Sequence, residues 1–136
     1  GWSRYEAGSR TPLRDPELEA FIVAESARLG ITRAPIGEDE ILERCLFGMV
    51  NEGARLLEQG VALRASDIDL VYLTGYGFPA AQGGPMFMAD RIGLAHVAAR
   101  VRHWHARLGA WWEPAPLLLK LAGQGRGFAS LSAAPG

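Results

Sequence analysis

The side chains in this sequence most able to do chemistry near neutral pH are three histidines, His96, His103 and His105, set within ten positions of one another. His103 and His105 are two apart, so on a helix they point to different sides. His96 and His103 share a face, but no His-Glu-x-x-His pattern accompanies them. They read as structural or surface imidazoles, and no metal site is expected. Gly75-Tyr76-Gly77-Phe78 has the glycine density of a nucleotide loop. A dinucleotide fingerprint also needs a strand before it, a helix directly after it and a third glycine at fixed spacing, and none of these is predicted here. A phosphate loop ending in Gly-Lys-Ser/Thr is absent as well, since the only lysine is Lys120. The single cysteine, Cys45, falls on the apolar side of a predicted helix, where it reads as a buried, inert thiol. No catalytic, cofactor-binding or metal-ligating residue is assigned. Glu43 alone stays open: it is either a first-turn glutamate reaching solvent, favoured by the helix dipole, or a carboxylate facing an interdomain cleft.

The elements that would position these residues are helices. Asp15-Pro16 reads as an N-cap followed by proline at the first helical position, and predicts a helix from about Pro16 to Leu29, closed by Gly30. The central helix runs from about Glu38 to Gln59, with Glu38, Asp39 and Glu40 at the positive end of its dipole and Gly60 after it. Ile41, Leu42, Cys45, Leu46, Met49, Val50, Leu56 and Leu57 give it an apolar arc wider than one stripe. Its polar arc is Arg44, Asn51, Glu52, Arg55, Glu58 and Gln59. Such a helix should be packed on two sides.

Ser66-Asp67-Ile68-Asp69 reads as a capping box with Ser66 as N-cap, opening a short helix that ends near Gly75. The glycines and prolines of residues 75–85 force a defined loop, and Pro85 can begin a helix through Met86–Arg91. Leu94, Val97, Val101, Trp104 and Leu108 mark another helix, stopped at Gly109. Trp111-Trp112 is a packing anchor or an interface to another domain, and Leu117–Ala122 forms a last helix. The fold class is all-α. Residues 1–14 read as a lead-in, 15–128 as the helical domain and 129–136 as a loose tail.

The 136 residues suffice for one hydrophobic core without staples. Hydrophobic residues at 49% and charged residues at 21% are ordinary for a globular protein, and a net charge of −1 gives no reason to expect nucleic acid. One cysteine excludes an intrachain disulfide, and no run approaches the ~18 apolar residues of a membrane span. No signal peptide is visible, and a start at Gly1-Trp2 rather than methionine suggests a processed chain, a tag remnant or an excised fragment. Use of arginine over lysine and the absence of a sorting signal suit a cytoplasmic setting.

Several segments together carry a family resemblance. Glu43-Arg44-Cys45-Leu46, Val50-Asn51-Glu52-Gly53-Ala54, Leu57-Glu58-Gln59-Gly60 and Ala65-Ser66-Asp67-Ile68-Asp69 resemble the carboxy-terminal domain of 3-hydroxyacyl-CoA dehydrogenases. Gly75-Tyr76-Gly77-Phe78-Pro79, Gly83-Gly84-Pro85-Met86, Ala89-Asp90, Gly93-Leu94 and Pro114-Ala115-Pro116-Leu117 extend the likeness. It is most similar to the second of two tandem helical copies in the multifunctional β-oxidation enzymes, and residues 1–5 resemble the end of a first copy. The resemblance implies a parent that oxidises a 3-hydroxyacyl-CoA with NAD. A histidine, oriented by a glutamate, takes the hydroxyl proton there, and both lie in a preceding NAD-binding domain. The catalytic helical copy carries an asparagine directly before the arginine of its central helix; here that position is Glu43, before Arg44, which implies a non-catalytic copy.

The partners so implied are the NAD-binding domain, the first helical copy and the parent's acyl-CoA substrate. The piece alone should bind no cofactor. Candidate interface residues are Leu42, Leu46, Met49 and Val50, and an isolated copy should pair as a homodimer unless the helix after Leu94 covers them. The alternative is a free-standing helical dimerisation or binding module.

Overall fold

The computed structural model describes residues 2–131. They form six α-helices and three short 3-10 turns, with one isolated antiparallel bridge between Arg4 and Leu13. The all-α class expected from the sequence holds. The chain divides into two compact units, Gly1–Ile36 and Gly37–Gly136. In this division the first helix groups with the lead-in, whereas the boundary expected from the sequence lies before Asp15.

In the first unit, α1 spans Pro16–Arg28. Asp15 caps it, its Oδ1 accepting the Glu17 and Leu18 N–H groups at 3.1 and 3.3 Å. Gly30, at φ +68°, closes it while Ile31 N–H bonds back to Ser26 O at 2.9 Å. No residue of α1 is buried, and Phe21, Val23, Leu29 and Ile31 stay exposed.

The second unit is built around α2, Glu38–Glu58. Around it stand α3 (Ala65–Gly75), α4 (Pro85–Ile92), α5 (Leu94–Leu108) and α6 (Pro116–Gly123). Each of the four touches α2. The core runs through Val50, Met86, Val97, Val101, Leu118 and Phe128, all at 0% exposure. The inner side of α2 is Phe47, Val50, Asn51, Gly53 and Ala54, whereas Ile41, Leu42 and Cys45 are exposed. The Cys45 thiol is thus not buried as expected. An apolar wheel position says which side is greasy, and here the neighbours settled on the side that carries small residues. Gly53 lets Met86 close in: a Cβ there would fall 2.6 Å from the Met86 sulfur.

The start of α3 also differs from expectation. Ala65 is its first residue and Arg64 its cap, so Ser66 is already helical. Asp67 performs the capping, its carboxylate accepting the Arg64 backbone N–H at 3.1 Å and the guanidinium at 3.0 Å. An arginine side chain accepts nothing, so only this acidic half of a capping box operates. The Arg64 hydrogen bond holds the Asp67 carboxyl below its ordinary pKa. Its stabilising effect is therefore present above the ordinary carboxylate range and fades as pH falls through the lowered pKa. Asp67→Ala should lower the melting midpoint at neutral pH and lose that effect in acid, while Ser66→Ala should leave the midpoint unchanged. Thermal melts of both variants check this.

Residues 129–131, expected as the start of a loose tail, continue from Phe128 in ordered structure. Phe128–Leu131 form a 3-10 turn, with Phe128 buried and Ala129 N–H bonded to Asp90 at 2.9 Å. Residues 132–136 of that expected tail lie outside the described residues.

Candidate functional site

Four polar side chains hold the second unit together, and only Glu43 of these was singled out from the sequence. Asn51 sits at 2% exposure on the inner side of α2. Its amide donates to Glu113 O at 2.9 Å, and its carbonyl accepts the Ala115 N–H at 2.8 Å. One side chain thereby satisfies both edges of the turn that launches α6. The sequence reading placed Asn51 on the solvent arc. The available signal was its angle, only about 40° from Phe47 at 100° per residue.

Asp69 and Asp90 repeat one device. Asp69, on α3, accepts Met86 N–H at 2.7 Å and Phe87 N–H at 3.1 Å, satisfying free donors at the start of α4. Asp90, on α4, accepts Phe128 N–H at 2.7 Å and Ala129 N–H at 2.9 Å. In each case a glycine just ahead, Gly84 or Gly127, makes room; a Cβ on either would run into the carboxylate. Burial pushes the Asp69 carboxyl above its ordinary pKa, against the pull of the two backbone donors, and Asp90 nearby adds to the rise.

The Glu43 side chain is 23% exposed and is tied to α5. Its Oε1 accepts Arg100 Nε at 2.7 Å and Trp104 Nε1 at 2.6 Å, both from α5. Arg100 and Trp104 are four apart, so α5 presents them together. The histidines are scattered: His96 meets Phe47 edge-on at 6.0 Å, His103 meets Trp104 at 4.8 Å, and His105 Nδ1 lies 3.1 Å from Gly109 O. The tryptophan pair splits, Trp112 packing 6.1 Å from Trp104 while Trp111 is 93% exposed.

The candidate interface divides too. Val50 is at 0% exposure and cannot meet a partner. Leu42, Leu46 and Met49 line a groove of about 600 Å³ with Tyr72, Tyr76, Phe78 and Met88. This groove is the second apolar side of α2, walled by α3 and the loop after it. In that loop Gly75 is the last residue of α3, and Pro79 leads into the 3-10 turn Ala80–Gln82.

Residues 41–128, which hold most of α2, all of α3 to α6 and all four polar anchors, match the family described as 3-hydroxyacyl-CoA dehydrogenase, C-terminal domain. The chain belongs to this family. Among relatives of this dehydrogenase-domain family, the peroxisomal bifunctional enzyme of Danio rerio is 41% identical over 128 residues, which is 92% of this chain and 18% of the relative. The Homo sapiens enzyme of the same name is 39% identical over the same shares. The glyoxysomal fatty acid beta-oxidation multifunctional protein MFP-a of Cucumis sativus is 35% identical, over 90% of this chain and 17% of its own length. The chain thus spans less than a fifth of the relatives it matches. Their names also correct the cytoplasmic setting expected from arginine usage, since these relatives are peroxisomal or glyoxysomal. Lysine scarcity reflects composition, not an address.

Proposed function

We propose that this chain is the structural and interface domain of a multifunctional, NAD-dependent 3-hydroxyacyl-CoA dehydrogenase of fatty-acid β-oxidation. In this reading it is the second helical copy, standing behind an NAD-binding domain and a first helical copy and backing the acyl-CoA cleft. The family match supports this reading of the parent reaction. The observation that carries the interface role is the groove beside α2, where Leu42 is 58% exposed and Leu46 and Met49 are half-buried. Glu43 supports a non-catalytic copy, because its carboxylate is engaged with Arg100 and Trp104 rather than offered to a substrate. Calorimetric titration of the chain with NADH should give no saturable heat. Saturable micromolar binding would overturn the reading.

The isolated chain should self-associate through this groove. Large side chains left wet forgo about 1.5–3 kcal/mol each, and a two-fold pairing is the simplest way to cover them. Sedimentation equilibrium at tens of micromolar should show a dimer, and Leu46→Asp should return it to monomer. A strictly monomeric mass for the unmodified chain would count against the interface.

A further inference from the structure

We draw no further inference here: the strongest candidate, the apolar groove that Trp2 forms with Leu18, Phe21 and Ile22 of α1 in the first unit, carries nothing because nothing in the structure shows what covers it.

Discussion

Asn51→Leu is expected to destabilise the Gly37–Gly136 unit by about 2–4 kcal/mol, lowering its melting midpoint by on the order of 10 °C. Leucine keeps the volume and removes both polar atoms. The carbonyl of Glu113 retains Arg55 as a donor. The Ala115 N–H has no such substitute, because Ala115 is at 0% exposure and Asn51 is its partner. A buried donor left without an acceptor costs about 1–3 kcal/mol, and the lost hydrogen bonds add to that. Glu52→Ala, one residue away on the exposed side of α2, should change stability by less than ~0.5 kcal/mol. Urea melts of the two variants separate the cases. Equal midpoints would mean that the α6 turn does not depend on Asn51.

Gly84→Ala should be more damaging still, at about 4 kcal/mol or more. Gly84 has φ +99° and ψ 165°, a region open almost solely to glycine, which alone costs about 1–3 kcal/mol for another residue. A Cβ there would also run into the Cβ and carboxylate of Asp69. Those atoms are anchored close to the α3 backbone, so relief requires moving α3 away from α4. That movement would break the Asp69 hydrogen bonds to Met86 and Phe87. Gly77→Ala is the control: its φ is +70°, but nothing lies within 4 Å of the added methyl, so only the backbone strain of about 1–2 kcal/mol applies. A Gly84→Ala chain as stable as Gly77→Ala would refute the close approach.

Much of the helical frame was legible because its punctuation is local. Asp15-Pro16 opens α1, Pro85 opens α4, and Gly109 closes α5, each by the chemistry of one or two neighbouring residues. The start of α3 was misread because Ser66 looks like a cap, while the true first turn relies on Asp67 reaching back to Arg64. The orientation of α2 was harder. Its apolar arc is broad enough to serve two surfaces, and periodicity does not rank them. The core took the side with Gly53 and Ala54, where the Met86 side chain fits against the glycine, and left Leu42 and Cys45 outside. Of the candidate interface residues, Leu42, Leu46 and Met49 line the groove beside α2, whereas Val50 lies in the core. Asn51, Asp69 and Asp90 act on backbone groups 17 to 64 positions away, and no local pattern announces such partners.

The reach of these anchors also bears on how the chain acquires its shape. Glu43 waits for Trp104, 61 residues on, and Asn51 for Ala115, 64 residues on. A ribosome emitting about 5–20 residues each second would expose α2 several seconds before either partner emerges. During that interval the helix carries unanswered polar groups on the side that must later become dry. Its native position is then reached by loop closure over long separations, which slows folding relative to a bundle of neighbouring hairpins. A nascent chain stalled before Ala115 leaves the tunnel should remain sensitive to protease throughout α2, and release of a few residues more should bring protection in one step.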